Sequence, residues 1–146
     1  HSSVMAGGEI VNCEGSVLGR HKGIINYTLG QRKGLGISHS RPLYVIELDH
    51  VNNRVIVGDK EDYLTVSLTL SQMNVLVKKL PPVLTAQVRY AQVPVNCKLI
   101  FDQGNIERVI FEQPQEAVTP GQSIVFYHGD VVCGGGVIER RNNECN

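Results

Sequence analysis

The chain has 146 residues, and its 14 Lys and Arg residues balance 14 Asp and Glu residues, so the formal net charge is zero. This length suits one domain or two small ones, and the hydrophobic content of 42% is enough for a packed core. A free-standing nucleic-acid-binding protein usually carries a basic excess. The charge balance therefore predicts that any RNA contact is local or is shared with another domain.

Four cysteines, Cys13, Cys97, Cys133 and Cys145, stand far apart, and no CxxC pair occurs. A zinc site needs ligands paired closely in sequence, and disulfide frameworks are typical of small secreted domains with little core. No apolar run approaches the roughly 20 residues that span a bilayer, and no secretion signal is recognisable. We therefore expect four reduced thiols, no bound metal, no membrane contact and a cytoplasmic location.

The first half of the chain shows short apolar runs separated by turn residues. Asn52 and Asn53 separate the two strands of a predicted hairpin, and asparagine accepts the left-handed backbone that hairpin turns need. Thr28 is placed to cap a single helical turn ended by Gly34, and the nearby glycines exclude a long helix. The predicted extended segments are 8–12, 16–20, 24–27, 42–49, 54–58 and 65–70.

The second half shows the same pattern after two consecutive prolines, Pro81 and Pro82, which break strand pairing. Turn signals this frequent favour a small closed barrel. The expected fold class is all-β, with a small β domain at 1–75, a carboxy-terminal β-barrel at 76–146 and a junction within 71–80. The first three residues resemble the remnant of an expression tag and carry no weight in this assignment. The predicted barrel strands are 84–90, 95–101, 106–111, 123–127 and 131–138.

Two glycine-rich segments, 34–36 and 134–136, do not match phosphate-binding loops. The first lacks the third glycine of a dinucleotide fingerprint, and the second precedes a strand rather than a helix. Close backbone approach or a bulge in a small barrel is the expected role of 134–136. No histidine or cysteine forms a defensible nucleophile–base pair, so the sequence predicts no catalytic residue.

Two polar segments are candidate RNA contacts. Arg89 and Tyr90 end a predicted strand, and an arginine can grip a phosphate bidentately while a tyrosine stacks or hydrogen-bonds. Gln31, Arg32 and Lys33 form a second cationic segment on a predicted loop. On these residues alone, solvated surface is the simpler interpretation of both segments, because exposed Arg and Lys are the default.

Four stretches, in this order and at this spacing, resemble the MnmA or TrmU family of tRNA 2-thiouridylases. They are 27–37 (YTLGQRKGLGI), 42–45 (PLYV), 88–90 (VRY) with Gln92 and Cys97, and 117–127 (AVTPGQSIVFY) running on to 134–138 (GGGVI). The first and last are long and unusual, so the resemblance is specific. It covers the chain from about Gly8 to Glu139.

The resemblance implies a sulfurtransferase that replaces the 2-oxygen of the wobble uridine in certain tRNAs. Such enzymes adenylate the uridine with ATP in an amino-terminal domain, and a cysteine persulfide then delivers sulfur with help from a second cysteine. In the family these parts precede the region that this chain resembles. We therefore expect a fragment without the catalytic domain, inactive alone and without a cofactor of its own. Its implied partners are tRNA, that catalytic domain and a persulfide donor protein.

The matched region is similar to the family's small central β domain and its carboxy-terminal barrel, which resembles the second domain of translation elongation factors. Family contacts to tRNA fall on positions that match Arg89, Tyr90 and Gln122, so the resemblance implies RNA-binding roles for these three. Two positions depart from the family. Ala91 stands where many members carry a further basic residue, and Val75 stands where a Trp is common.

Two alternatives stay open. One is a stand-alone, translation-factor-like barrel that recognises RNA or protein. The other is a structural domain that packs against the catalytic domain and touches RNA little. The neutral net charge favours shared over independent binding, and a coding sequence with an upstream ATP-loop domain and two cysteines would identify the enzyme fragment.

Overall fold

A computed structural model describes residues 6–89 and 92–142. The chain divides into two compact units, the first ending at Leu64 and the second spanning Thr65–Asn142. Strands dominate both units, and the longest helix in the described part is a four-residue turn, α1 (Lys60–Tyr63). The expected all-β architecture, a small β domain followed by a barrel, is confirmed. No helix within the described ranges is long and apolar enough to cross a membrane.

The first unit is built on a four-stranded sheet whose two faces are both covered. The run Val55-Ile56-Val57 is continuously apolar because its alternate side chains enter two separate clusters. The strands are β1 (Gly8–Asn12), β2 (Val17–His21), β3 (Tyr44–Asp49) and β4 (Arg54–Gly58), in the spatial order β2-β1-β4-β3. The central pair β1–β4 is parallel, while the two outer pairs are antiparallel.

The β3–β4 hairpin is confirmed, and its turn has the expected chemistry. Asn53 adopts a φ of 55°, the left-handed conformation that asparagine tolerates. Asp49 accepts hydrogen bonds from the backbone N–H of Asn52 at 3.1 Å and from its side-chain amide at 2.9 Å. The Arg54 guanidinium lies 3.3 Å from the same carboxylate. Partial desolvation raises the pKa of Asp49, but the hydrogen bonds from Asn52 and the contact with Arg54 together outweigh it and hold this pKa below its usual range.

The loop between β2 and β3 differs from expectation in two places. Ile24–Asn26 forms a 3₁₀ turn rather than an extended piece, and no helix follows Thr28. Instead Gly30 donates its N–H to Val45 O at 2.7 Å, and Val45 donates to Gln31 O at 2.9 Å. Gly30 has a φ of 82°, which lets the loop run beside β3 and satisfy that strand's backbone groups where a helix would not.

The second unit is a closed six-stranded barrel with one apolar interior. Its largest fully buried side chain is Phe126, which packs with Leu68, Val109, Ile124 and Ile138. The strands are β5 (Thr65–Val75), β6 (Val83–Gln87), β7 (Val95–Asp102), β8 (Asn105–Gln115), β9 (Ser123–His128) and β10 (Val131–Arg141), and the closed order is β10-β5-β8-β7-β6-β9. Every adjacent pair is antiparallel.

The division between the units falls between Leu64 and Thr65, earlier than the junction expected within 71–80. The expected boundary would remove β5 from the barrel, yet β5 pairs with both β8 and β10. Pro81 and Pro82 do interrupt strand pairing, as their chemistry requires. They do so between two strands of one barrel rather than between two domains.

The glycine run 134–136 has the expected structural role. A Cβ on Gly134 would lie 2.5 Å from the carbonyl oxygen of Asn74, and one on Gly135 would lie 2.6 Å from that of Ile124. The pairing register shifts between Val132 and Gly134 on the β9 side and between Gly135 and Val137 on the β5 side, which marks bulges. Glycine therefore lets β10 approach both neighbouring strands closely.

The cysteines depart from expectation at one position. Cys97 and Cys133 are free and buried in the barrel, but Cys13 is disulfide-bonded, so the prediction of four reduced thiols is wrong. Sequence spacing does not report which thiols folding brings together. Cys145 lies outside the described residues. Burial raises the pKa of the Cys97 thiol to about 11, because apolar surroundings disfavour the thiolate.

Candidate nucleic-acid interface

Arg89 and Gln122 meet at one surface groove of the barrel, although they are far apart in sequence. Their meeting follows from the topology, since β6 and β9 are neighbours and Gln87 pairs with Val125. Residues just after β6 and just before β9 therefore lie at the same end of this strand pair. The barrel groove has a volume of about 440 Å³ and is lined by Gln87, Val88, Arg89, Gln122, Ser123 and Val125.

The chain segment that carries Arg89 is braced by the side chain of Gln92. The Gln92 Oε1 accepts the backbone N–H of Val88 at 2.9 Å and that of Arg89 at 3.3 Å. The backbone N–H of Gln92 in turn donates to Arg89 O at 3.1 Å. Arg89 is exposed, so its guanidinium projects from a segment whose backbone donors are already satisfied.

Further amide groups tie this segment to neighbouring strands. Gln87 donates from Nε2 to Gln92 O at 2.8 Å, and its Oε1 accepts the Tyr127 hydroxyl proton at 3.0 Å. Gln92 donates from Nε2 to Gln115 Oε1 at 3.2 Å. The buried Gln115 then donates to Gln113 O at 2.8 Å. The network therefore connects β6, β8 and β9 beneath the segment that carries Arg89.

Gln122 is held by the turn that precedes β9. Its Oε1 accepts the backbone N–H of Thr119 at 3.0 Å, and its carbonyl oxygen accepts the N–H of Ile138 at 2.8 Å. Gly121 has a φ of 92°, which glycine adopts without strain. Because Oε1 already faces a backbone donor, the Nε2 amide is the end of Gln122 that can donate to a ligand.

The barrel groove is suited to an anion. Among the described residues that line it, Arg89 is the ionisable one, and no carboxylate is present to compete for its charge. The Gln122 amide and the Ser123 hydroxyl accompany the guanidinium, whereas both ends of the Gln87 amide are occupied by Gln92 O and the Tyr127 hydroxyl. Tyr90, the remaining predicted contact of this patch, lies outside the described residues.

The second predicted segment, 31–33, does not act as one group. The Gln31 amide is used internally, since its Oε1 accepts the N–H of Thr28 at 3.0 Å and its Nε2 donates to Lys33 O at 2.9 Å. Arg32 lines a different groove, in the first unit, with a volume of about 390 Å³. Lys33 is exposed but is not part of that lining. The residues that line this loop groove are Arg32, Ile37, His39, Ser40, Arg41, Pro42 and Leu43.

Sequence reasoning missed several residues of both grooves. Gln87, Ser123 and the bracing role of Gln92 depend on which strands are neighbours, and the sequence carries no direct signal for that. His39 and Arg41 were also missed. Their signal was available in the charge pattern, because no Asp or Glu occurs between Glu14 and Glu47.

Two sequence-family models match the chain, and their limits agree with the two units of the structure. A "tRNA methyl transferase PRC-barrel domain" matches residues 2–59. An "Aminomethyltransferase beta-barrel domain" matches residues 65–138, which is about half of the chain. The gap between the two matches contains the division at Leu64 and Thr65.

Three curated relatives carry the name tRNA-specific 2-thiouridylase MnmA. A protein from Synechococcus sp. strain PCC 6301 is 49% identical over 136 residues, covering 91% of this chain and 38% of its own length. Those from Acetivibrio thermocellus and Geobacter metallireducens are 44% and 45% identical over 90% and 94% of this chain, again with 38% of their own length covered. The chain thus spans well under half the length of the curated relatives it matches.

Proposed function

The chain belongs to the MnmA family of tRNA-specific 2-thiouridylases, whose central and carboxy-terminal region it matches, and we propose on this premise that it holds tRNA for the catalytic part of such an enzyme. The reaction of that enzyme is the exchange of the 2-oxygen of a wobble uridine for sulfur. ATP and the persulfide donor act in the catalytic part, and the fragment positions the RNA.

The thiols of the barrel support a positioning role rather than a chemical one. Cys97 and Cys133 are both buried, and burial raises the pKa of Cys97 to about 11. The thiolate is the reactive form of cysteine, so a protonated and inaccessible thiol is a poor sulfur carrier. Persulfide chemistry is therefore assigned to cysteines of the catalytic part.

The convergence of Arg89 and Gln122 in the barrel groove carries the proposal. A guanidinium forms charge-assisted, bidentate hydrogen bonds with a phosphate, and the Gln122 Nε2 amide adds a directional donor to a phosphate or ribose oxygen. Contacts of this kind fix the position of the RNA but carry no direct sequence information. Selection of the target uridine thus belongs to the catalytic part.

Replacing Arg89 with Ala tests the proposed function. Affinity of the chain for a tRNA transcript, measured by fluorescence anisotropy at several salt concentrations, should fall by about 1.5 kcal/mol, roughly tenfold in Kd. The salt dependence should lose about one unit of slope, because one phosphate contact is removed.

Arg140→Ala is the matched control, since Arg140 is an exposed arginine of the same barrel that does not line the groove. It should change affinity much less than Arg89→Ala. Equal losses in the two variants would mean that tRNA senses only the overall charge of the barrel, and the structural-domain alternative would then be favoured.

A further inference from the structure

The charges of the first unit are segregated along its sequence. Between Glu14 and Glu47 there is no Asp or Glu, while Arg20, Lys22, Arg32, Lys33 and Arg41 all fall in that stretch. The whole chain is neutral, so this stretch is locally basic against a balanced background. Local excess of this kind is typical of a surface that meets a polyanion.

Folding gathers two of these cations at the loop groove. Arg32 and Arg41 line it together with His39 and Ser40, which adds an imidazole and a hydroxyl to two guanidiniums. Ile37, Pro42 and Leu43 complete the lining and give the groove an apolar part. Donors for a phosphate therefore lie beside a surface suited to the carbon face of a sugar.

Local contacts fix the polar groups of the loop groove. His39 Nδ1 lies 3.3 Å from both the backbone N and the carbonyl O of Arg41, so the backbone of Arg41 holds the imidazole by this nitrogen in either tautomer. In the tautomer in which Nδ1 accepts, Nε2 carries the proton and can donate to a ligand. The Arg41 guanidinium lies 3.3 Å from the Asp59 carboxylate. Asp59 is the N-cap residue of α1, and its backbone N–H donates to Asp62 Oδ2 at 2.9 Å, which holds in place the residue that pairs with Arg41.

The negative charge of the Asp59 carboxylate repels an incoming anion. It offsets one of the two guanidinium charges, and Arg32 remains as the cation without such a partner among the described contacts. Arg41 has five N–H donors, so a single ion pair leaves donors for a second oxygen acceptor. The side chain of Arg41 is 66% exposed and is accessible to RNA.

We propose that the loop groove binds a backbone phosphate of RNA through Arg32 and Arg41, with His39 and Ser40 as further donors. The inference rests on the proposed function, because it adds a second tRNA contact in the first unit. A cavity of about 390 Å³ with an apolar part fits a phosphate with its attached ribose better than a small free anion. The occupant is accordingly a phosphodiester segment.

Nuclear magnetic resonance titration of the 146-residue chain tests the proposal site by site. Addition of a tRNA transcript should shift the amide signals of 39–41 and the guanidinium Nε–H signals of Arg32 and Arg41 at micromolar concentrations. Inorganic phosphate, titrated separately, should shift the same signals only at concentrations at least a hundredfold higher. Equal potency of phosphate and tRNA would overturn the assignment to an RNA backbone.

Arg32→Gln and Arg41→Gln should each weaken tRNA binding by about threefold to tenfold and lower the salt slope by about one. Lys33→Gln is the matched control, because it removes an exposed cation from the same loop outside the groove lining. Its loss should be smaller than that of either arginine variant. If Lys33→Gln weakens tRNA binding as much as Arg41→Gln does, the affinity depends on diffuse surface charge, and the proposed site in the loop groove is refuted.

The two sites can fail independently. In the Arg89→Ala chain the loop-groove signals should still respond to tRNA, and in the Arg41→Gln chain the signals of the barrel groove should still respond. A response in the barrel groove without one in the loop groove overturns this inference and leaves the proposed function standing. If tRNA shifts the signals of neither groove, this inference and the proposed function are both overturned.

Discussion

The barrel groove and the loop groove present cations to the surface by different means. In the barrel groove, amide groups brace the backbone around Arg89, and the guanidinium is the ionisable group of the lining. In the loop groove, the Asp59 carboxylate holds the Arg41 side chain, and several polar groups share the lining. A neutral scaffold leaves the full charge of its arginine for a ligand, whereas an ion pair sacrifices part of that charge for orientation.

The two scaffolds also differ in what supports them. The barrel groove lies where β6 and β9 meet, above a closed apolar core. The loop groove lies on irregular chain between β2 and β3, where backbone contacts with β3 replace regular pairing. Changes inside the barrel should therefore damage one groove far more than the other.

The largest expected effect is that of Phe126→Ala, which empties the centre of the barrel core. The barrel should lose about 3–5 kcal/mol of unfolding free energy, measured by urea denaturation. Phe101→Ala is the control, since Phe101 is 40% exposed and should cost far less. If the amide signals of the loop groove and of the barrel are lost together at one urea concentration, the two units unfold in one step. That result would contradict the claim that changes inside the barrel damage one groove more than the other.

A second effect concerns the buried thiol of the barrel. The pKa of Cys97 is raised in the folded chain from 9.0 to about 11, so the folded state binds this proton more tightly than the unfolded state. The resulting stability is fully present below about pH 9 and is lost as pH rises toward 11, by about 2–3 kcal/mol at most. Cys97→Ala should flatten this part of the curve of unfolding free energy against pH. An identical curve for the variant would show that Cys97 does not titrate in this way.

A smaller effect is expected for Gln92→Ala, which removes the acceptor for two backbone N–H groups. Unsatisfied donors should cost about 1–3 kcal/mol in unfolding free energy, and tRNA affinity should fall because Arg89 loses its fixed position. The salt slope should stay unchanged, since no charge is removed. Gln113→Ala is the control, because the network uses only the backbone oxygen of Gln113. A reduced slope in the Gln92→Ala chain would contradict a purely positioning role.

The regular parts of the fold were predictable from local pattern. Short apolar runs bounded by turn residues indicated every strand, although the run 24–27 forms a 3₁₀ turn instead. Asn53 marked the hairpin turn that the structure contains. Strand lengths were less predictable, because β5 continues to Val75 and β8 to Gln115 through residues with weak alternation. Their extra length comes from pairing with neighbouring strands, which local sequence does not encode.

The candidate site was predictable only in part. The resemblance singled out Arg89 and Gln122, and strand pairing explains why they line one groove. The sequence did not indicate that the Gln31 amide is consumed by its own loop. The sequence also did not indicate that Gln92 braces the segment that carries Arg89, because the same amide side chain can hydrogen-bond either to water or to backbone groups.

Closure of the barrel determines when this unit can finish folding during synthesis. The first barrel strand, β5, pairs with the last, β10, so a nascent chain has no closed barrel until the segment Val131–Arg141 has left the ribosome. Until then β5 and β9 each present an open edge, and such edges invite pairing with other chains. Contacts between sequence-distant strands also form slowly. Translation rate and chaperone binding while Val131–Arg141 is being made should therefore most strongly affect the yield of folded barrel.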